Sequence, residues 1–354
     1  MTARFLFSAN YLKVCYNKPY KTKTEDIMDY SQILSQQFNI KEEYAKNIIT
    51  LLDDGNTIPF IARYRKEMHG SMDDQLIREF AEKLEYLRGL DKRRDEIRSL
   101  IDAQEKLTDE INLALDKAAT LSELEDIYRP YRPKRKTRAS IAKEKGLEPL
   151  ANNILKQEKG FDPSKSAVDY IDEEKGVTSV EDAIQGAMDI IAELVSDNAE
   201  IRKRIRNLTN ANGVLVSVAT DEEKDSVYKN YYDYKEPVKK IAGHRVLAVN
   251  RGEKEGFLKV SVETDSEKPL NSIFRAMITD KNQLCSDIIR EACTDAYQRL
   301  IYPSIEREVR NDLTDTASEN AMKVFAVNLK QLLMQPPVKG KTVLALDPGY
   351  RTGC

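Results

Sequence analysis

The sequence predicts a mostly α-helical protein with a small amount of β structure. Apolar residues recur three, four and seven positions apart over long stretches, which is the spacing of helices with one buried face. Several stretches follow a Ser or Thr that precedes an acid three residues later, a pattern typical of helix N-termini. Only short runs near residues 245–263 and 342–346 have the alternating or β-branched character of strands.

The charge balance restricts how the protein can attract a polyanion. The chain has 354 residues, enough for two or three domains, and 56 Lys and Arg against 59 Asp and Glu give a net charge of -3. Attraction to nucleic acid must therefore come from local patches. No apolar run reaches the roughly 18 to 20 residues of a membrane helix. We expect no membrane partner and a cytoplasmic location.

Cysteine and histidine usage excludes common metal and disulfide frameworks. The four cysteines are Cys15, Cys285, Cys293 and Cys354. No pair has the C-x-x-C spacing and only two histidines are present, so no zinc site, disulfide or cofactor is predicted. We expect Cys285 and Cys293 to be small buried residues on a helix.

The first 27 residues differ from the regular pattern that follows. Their apolar part is interrupted by Asn10 and Lys13 and lacks a small-residue cleavage site, so it does not predict a signal peptide. We expect residues 1–27 to be a disordered leader or a mis-assigned start upstream of Met28.

The next stretches predict helices. The spacing from Ser31 to Asp53 predicts two amphipathic helices separated near Asn39. The stretch IPFIARYRKE, Ile58 to Glu67, predicts a packed segment whose cationic side chains extend into solvent.

A long helix is predicted to start at Ser71 and Asp74 and to bury one apolar stripe. The stripe contains Leu76, Phe80, Leu84, Leu87, Leu90, Ile97 and Ile101. The mixed charges at residues 92–96 predict a solvated opposite face. A further helix from about Thr108 to Ala119 follows.

Residues 129–145, here called the basic segment, contain eight Lys or Arg and one acid. A short helix is predicted to start upstream at Ser122 and Glu125. Because Pro130 and Pro133 disfavour helix in the residues before them, residues 128–133 are expected to be extended or turn-like. Cations on such a segment can follow phosphates, and tyrosines can stack on unpaired bases.

Seven residues of the basic segment are the candidate nucleic-acid contacts. They are Arg129, Tyr131, Arg132, Lys134, Arg135, Lys136 and Arg138. The alternative is that these cations pair with the protein's own carboxylates, for example Glu123, Glu125 and Asp126. Composition alone leaves both interpretations open.

Helices continue after Pro149 to about Gln157, and a loop-rich region follows. Thr178 and Glu181 predict the start of a strongly apolar helix, and the helix after it, from about Ala199 to Leu208, is expected to have a basic outer face. The cations of that face are Arg202, Lys203, Arg204 and Arg206. The helices around residues 145–147 and this later pair are compatible with helix-turn-helix arrangements, which also occur in proteins that bind no nucleic acid.

Residues 245–250 and 257–263 predict a β-hairpin around the loop RGEKEG. Four tyrosines lie upstream and are expected to pack around it: Tyr228, Tyr231, Tyr232 and Tyr234. His244 is expected to be structural or at the surface.

From Lys281 the pattern is helical, with a kink or break expected near Pro303. A last long helix is predicted from about Asp315 to Leu333, before two prolines. The run TVLAL, Thr342 to Leu346, predicts a strand that ends in a turn at Asp347.

Four long stretches of the sequence together resemble the Tex family of bacterial transcription accessory proteins. The stretches are residues 58–67, 121–151, 236–256 and 331–353. The resemblance implies a helical region with helix-turn-helix elements at 28–210, a β-hairpin and long helices at 211–337, and the truncated start of a YqgF domain of the ribonuclease H type at 338–354.

The resemblance also implies low-specificity binding of RNA, DNA or both, with the transcription machinery as a further partner and no small-molecule substrate. Ribonuclease H chemistry needs several carboxylates around paired metal ions. Asp347 matches the first such position, but the others would come from strands that this chain lacks, so no enzyme is predicted. The alternatives are a protein interaction module that docks on the missing C-terminal half or on the transcription machinery, and a metal-dependent nuclease.

Overall fold

The fold consists mainly of helices, with one three-stranded antiparallel sheet. The computed structural model describes residues 23–133, 136–279, 281–336 and 339–346. The chain divides into two units between Tyr128 and Arg129. Each unit has its own cluster of buried apolar side chains. The predicted fold class is confirmed.

The first unit is built from helices α1 to α7. These are α1 (Lys23–Phe38), α2 (Glu42–Asp53), α3 (Ile58–Tyr64), α4 (Lys66–His69), α5 (Asp74–Asp102), α6 (Asp109–Lys117) and α7 (Leu121–Tyr128). Their core contains Leu34, Ile48, Ile61, Ile77 and Phe80, all fully buried. The predicted separation of α1 and α2 is confirmed at Asn39, whose φ is +51°.

Two of the predicted helix starts in this unit are wrong by one or two residues. Asp73, not Ser71, caps α5, because its carboxylate accepts the amide of Leu76 at 2.7 Å. Thr120 caps α7 by accepting the amide of Glu123 at 3.3 Å, whereas the predicted cap, Ser122, lies inside the helix. In both places another side-chain oxygen next to the expected cap supplies the same acceptor.

The charged face of α5 is only partly the solvated surface that we predicted, because Lys92, Asp95 and Glu96 are exposed but the two arginines between them are not. Arg93 Nε donates to Glu125 of α7 at 2.7 Å. Arg94 donates to the carbonyl oxygens of Leu115 and Ala118 at 2.9 and 3.0 Å, at the C-terminal end of α6. These bonds satisfy carbonyls that the end of a helix leaves free, so the arginines attach α6 and α7 to α5.

The second unit contains nine helices in its described part. These are α8 (Arg138–Glu144), α9 (Glu148–Lys156), α10 (Pro163–Ala167), α11 (Val180–Ser196), α12 (Ala199–Asn212), α13 (Gly243–Lys254), α14 (Glu267–Met277), α15 (Gln283–Asp295) and α16 (Tyr302–Leu333). As predicted, α11 is strongly apolar, and it packs against α8, α9 and α15. Its cap is Ser179, which accepts the amide of Asp182 at 3.1 Å, and not the predicted pair Thr178 and Glu181.

The sheet contains β1 (Val214–Ala219), β2 (Asp233–Pro237) and β3 (Leu258–Glu263) in the order β2-β1-β3. Leu215 of β1 lies opposite Glu236 on one side and Val262 on the other. Tyr228 is buried against this sheet, and Tyr231 and Tyr232 pack beside it, which confirms their predicted packing role.

The predicted hairpin is wrong, although its second strand is confirmed as β3. Residues 245–250 belong to α13, because Val246 and Val249 lie three residues apart and are both buried on one helix face. Gly252 is also helical, and a Cβ there would lie 2.5 Å from Leu258 Cδ1. The glycine therefore permits close contact between α13 and β3 and does not form a turn.

Helix α12 does not have the basic outer face that its sequence suggested. Lys203 and Arg204 are exposed, but Arg202 and Arg206 are buried and donate to Glu308 of α16 at 3.1 and 2.8 Å. Half of the predicted basic face is therefore an internal ionic contact between two helices.

The chain is helical from residue 283 to residue 333, so of the kink or break expected near Pro303 the break does not occur. A π-helical segment, Ala296–Ile301, precedes Pro303, which lies in the first turn of α16. Because proline lacks an amide, the regular α-helical bonding is interrupted here, and the π-helical segment directly before Pro303 is where the continuous helix departs from α geometry. The expected end of this helix at Leu333 is confirmed.

Residues 341–346 form no regular secondary structure and are exposed, so the strand predicted at Thr342–Leu346 is wrong. A single run of strand-forming residues is not stable without a neighbour to pair with. Asp347 and the first 22 residues lie outside the described residues. The predicted domain boundaries at 210 and 337 remain predictions.

Candidate nucleic-acid interface

The basic segment begins with a tight turn and not with an extended strand. Tyr128 is the last residue of α7, and residues Arg129–Tyr131 form a single turn of 3-10 helix that includes Pro130. Of the two predicted conformations, extended or turn-like, the turn-like one is confirmed for these residues. Proline fits the turn because its fixed φ angle matches that of a 3-10 helix.

A reciprocal cap fixes the start of α8, in the middle of the segment. Thr137 Oγ1 accepts the amide of Ser140 at 3.0 Å, and Ser140 Oγ accepts the amide of Thr137 at 2.9 Å. Thr137 Oγ1 also donates to a carboxylate oxygen of Glu193 at 3.1 Å. The cap thus connects the basic segment to α11.

Two carboxylates of α11, Asp189 and Glu193, and that of Asp197, the residue directly after the helix, are spaced four residues apart and are here called the acidic stripe. Arg129 Nε donates to Asp197 at 3.2 Å. The acidic stripe therefore contacts the segment at Arg129 and again at Thr137.

The third carboxylate of the stripe, Asp189, lies in a partly buried, cationic environment. Burial raises the pKa of Asp189 above its ordinary value, and the charges of Arg299 and Arg138 act in the opposite direction. The Arg299 guanidinium lies 3.4 Å from the carboxylate. Arg138 is thus close enough to Asp189 to influence it, although its own side chain is exposed.

The seven predicted contact residues do not share one environment. Arg129 and Tyr131 are half-buried, and Arg129 is paired with the acidic stripe. Arg132 and Arg138 are exposed, and Lys136 is 77% exposed with its Nζ 3.9 Å from Glu144. Lys134 and Arg135 lie outside the described residues.

The remaining two cations of the segment contact the protein itself. Lys145 Nζ donates to the carbonyl of Gly176 at 2.7 Å, and Lys143 Nζ lies 3.5 Å from Glu148. Four described cations of the segment are exposed, and three of them, Arg132, Lys136 and Arg138, lie in its middle, whereas the fourth, Lys143, lies near its end.

The sequence left open an internal ionic role for the segment, and two of the acids named as examples for it contact other groups. Glu125 accepts from Arg93, and Glu123 accepts the amide of Ala119 at 2.8 Å. The carboxylate that pairs with Arg129 is that of Asp197, the residue directly after α11, and the apolar pattern of α11 had predicted only a core helix. The four-residue spacing of the acidic stripe was the signal that could have identified it.

Neither a metal site nor a membrane span is present in the described part of the chain. It contains no group of three or more His, Cys, Asp or Glu side chains placed to hold a metal ion. None of its helices combines the length and apolar character needed to cross a membrane.

Comparison with known families assigns most of the chain. The Tex-like protein N-terminal domain matches residues 28–102, and the Tex central region-like family matches residues 158–325. The chain belongs to the Tex family. The resemblance inferred from the sequence is confirmed, and the basic segment lies between the two matched regions of this Tex chain.

Tex relatives at 32 to 45% identity cover nearly the whole chain. The uncharacterized protein YdcI of Bacillus subtilis is 45% identical over 334 residues, which are 92% of this chain and 46% of YdcI. The transcriptional accessory protein Tex of Neisseria gonorrhoeae is 36% identical, over 92% of this chain and 44% of its own length. The human S1 RNA-binding domain-containing protein 1 is 32% identical, over 94% of this chain and 35% of its own length. The chain thus spans less than half the length of these relatives.

Proposed function

We propose that this Tex-family chain is a non-catalytic transcription accessory protein that binds RNA, DNA or both with little sequence preference. The observation that supports the proposal best is the set of exposed cations in the middle of the basic segment. The names of its relatives, which refer to transcription accessory proteins and to RNA binding, agree with it.

The acidic stripe has a defined part in this proposal. Because it pairs with Arg129 and contacts Thr137, it fixes both ends of the stretch 129–137 while Arg132 and Lys136 stay exposed. Cations held in place lose less conformational entropy when they bind phosphates. The carboxylates also reduce the number of cations available for nucleic acid.

The first test removes the charges at the middle of the segment. Arg132, Lys134, Arg135 and Lys136 are changed together to Gln, and affinity for a single-stranded oligonucleotide is measured by fluorescence anisotropy at several salt concentrations. We expect binding to weaken at least about tenfold at low salt. The slope of log affinity against log salt should become shallower by about 3, at roughly 0.7 for each phosphate that is no longer neutralised.

A matched control keeps the net charge change and moves it elsewhere on the same unit. Four exposed lysines are changed to Gln: Lys159, Lys165, Lys175 and Lys229. Their loss should leave the salt slope nearly unchanged. An equal loss of affinity in both variants would show that bulk charge, and not the basic segment, binds the nucleic acid.

A second candidate function, protein docking, is favoured by the C-terminal half of α16. Its large apolar side chains are exposed: Met322, Val324, Phe325, Val327, Leu329, Leu332 and Leu333. Phe325 is 67% and Leu333 73% exposed. A helix with apolar residues on every face is normally covered by protein, and large exposed apolar patches mark interaction sites. The proposed cover is the part of the Tex relatives that this chain does not match.

Docking is tested with the unmatched part of Bacillus subtilis YdcI as the partner. Phe325→Glu with Leu332→Glu should abolish association with it in sedimentation experiments and leave RNA binding intact. The control, Leu113→Glu with Leu121→Glu, places the same charges at exposed leucines of the first unit. Association that survives the α16 substitutions would exclude this surface.

A further inference from the structure

The first unit carries a second cluster of aromatic and cationic side chains, on α3 and the start of α4. The cluster consists of Phe60, Arg63, Tyr64, Arg65 and Lys66, here called the α3 patch. It comes from the stretch IPFIARYRKE, for which the sequence predicted only a packed segment with solvated cations. The α3 patch shares no residue with the basic segment and lies in the other unit of the chain.

The apolar side of α3 agrees with the predicted packing, but its aromatic side does not. Ile61 is fully buried in the core of the first unit, and Ile58 and Ala62 pack against that core. Tyr64, in contrast, is 64% exposed. A tyrosine ring so accessible contributes little to the core and is free to contact a ligand.

The aromatic rings and one guanidinium of the patch are ordered against each other. The rings of Phe60 and Tyr64 have centroids 5.4 Å apart and an interplanar angle of 41°. The Arg65 guanidinium lies 5.2 Å from the Phe60 ring centroid, and its NH1 donates to the carbonyl of Tyr64 at 3.2 Å. These contacts restrict Phe60 and Arg65 and leave the exposed ring of Tyr64 accessible.

The backbone that carries the patch is fixed by a buried histidine. His69 of α4 is fully buried, and its Nε2 lies 3.1 Å from the carbonyl oxygen of Ile61 in α3. The amide of Arg65 donates to the same carbonyl at 3.1 Å. Asn47 Nδ2 donates to the carbonyl of Met68 at 3.0 Å and attaches α4 to α2. The α3 patch is therefore built on a preorganised turn between two helices.

The charges of the patch are available to a ligand. Arg63 and Lys66 are exposed, and neither forms an ion pair with a carboxylate in the described part of the chain. With Arg65 they place three cations in four residues, followed by one acid, Glu67. Cations beside an exposed aromatic ring match the chemistry of an unpaired nucleotide, whose phosphate is anionic and whose base has a stacking face.

We propose that the α3 patch is a second binding site for single-stranded nucleic acid, in which Tyr64 stacks on a base and Arg63 and Lys66 bind the flanking phosphates. The inference deepens the proposed function by assigning base stacking to the first unit. A site of this kind requires unpaired bases, so it discriminates single strands from duplexes.

The test uses the full chain and a single strand of about 12 nucleotides that carries one fluorescent 2-aminopurine. Tyr64→Ala should weaken binding about five- to tenfold and remove the quenching of 2-aminopurine that stacking produces. Tyr64→Phe keeps the ring and should stay within about twofold of the unchanged chain. Affinity for a duplex of the same sequence should not change in either variant.

Tyr86→Ala is the matched control. Tyr86 lies in the same unit, is 43% exposed and has Lys83 Nζ 4.7 Å from its ring centroid. Equal losses in Tyr64→Ala and Tyr86→Ala would overturn the proposal. Loss of binding in Arg63→Gln with Lys66→Gln, at unchanged affinity and quenching in Tyr64→Ala, would also overturn it, because the patch would then bind only anionic groups.

Measurements in a second background separate this site from the basic segment. Tyr64→Ala is combined with the four Gln substitutions of the basic segment, and thermal melting confirms that each variant is folded. If the segment variant binds normally and Tyr64→Ala does not, the results support a binding site at the α3 patch and exclude one at the basic segment. The opposite result rejects the α3 patch and keeps the basic segment.

Discussion

At the scale of single residues, burial determines how the two described cysteines behave. Cys285 and Cys293 are both fully buried in the core of the second unit, as the sequence predicted. Burial raises the pKa of Cys293 to about 12 and raises that of Cys285 as well. The reactive thiolate is therefore nearly absent at neutral pH.

This shift predicts slow thiol chemistry in the folded protein. In a chain with Cys15→Ser and Cys354→Ser, a thiol reagent at pH 8 should react with Cys285 and Cys293 only after denaturant is added, since roughly one Cys293 thiol in ten thousand is ionised. Unfolded thiols ionise near pH 9, so these residues also make stability fall as pH rises from about 9 towards 12. Rapid labelling without denaturant would show that the site opens locally.

At the scale of elements, sequence periodicity located the helices better than it assigned the roles of their polar faces. The apolar stripe of α5 and the core helix α11 follow directly from spacing. The roles of Arg94 and Arg202 cannot be predicted from spacing, because an arginine that contacts a distant helix has the same sequence neighbours as one that extends into solvent. The run VLAVN, which lies in α13, was ambiguous because its apolar residues fit both the helical period of about 3.6 and the strand period of 2. Only packing against β3 decides in favour of the helix.

In the candidate site, too, the sequence located the element but not the contacts of its side chains. The sequence located the basic segment and its cations, but the acidic stripe that pairs with Arg129 lies 68 residues away in the chain. The exposure of Tyr64 also could not be predicted from sequence periodicity, because it depends on which side of α3 faces the core.

The contact between α12 and α16 gives a prediction at this scale. Arg202 is 1% and Arg206 11% exposed at the side chain, and both donate to Glu308. Glu308→Ala leaves two buried cations without this partner and should lower the free energy of unfolding by about 3 to 5 kcal/mol in urea denaturation. Replacing all three by apolar residues, Arg202→Met, Arg206→Met and Glu308→Leu, should lower the free energy of unfolding less than Glu308→Ala alone.

Glu319→Ala provides the comparison on the same helix. Glu319 is exposed, so its loss should change stability by less than about 0.5 kcal/mol. A Glu308→Ala variant as stable as Glu319→Ala would mean that water solvates the arginines in spite of their burial.

At the scale of the whole molecule, the two proposed nucleic-acid contacts belong to different units, each with its own core. The first core includes Phe80 and Leu34, both fully buried, and the second is organised around α11. A unit that encloses its own apolar cluster has what a domain needs to fold alone. The α3 patch and the basic segment should therefore survive separation of the units.

Two fragments, residues 23–128 and 129–336, test this expectation. Each should be helical by circular dichroism and melt cooperatively, because each retains its complete core. Phe80→Ala should lower the stability of the first fragment by about 3 to 5 kcal/mol, the cost of a cavity in a packed core, and Val195→Ala should destabilise the second. In the first fragment, Tyr64→Ala should still reduce single-strand binding, which would place base stacking there without any contribution from the basic segment. A first fragment that is unfolded, or that melts without cooperativity, would show that its core depends on the rest of the chain.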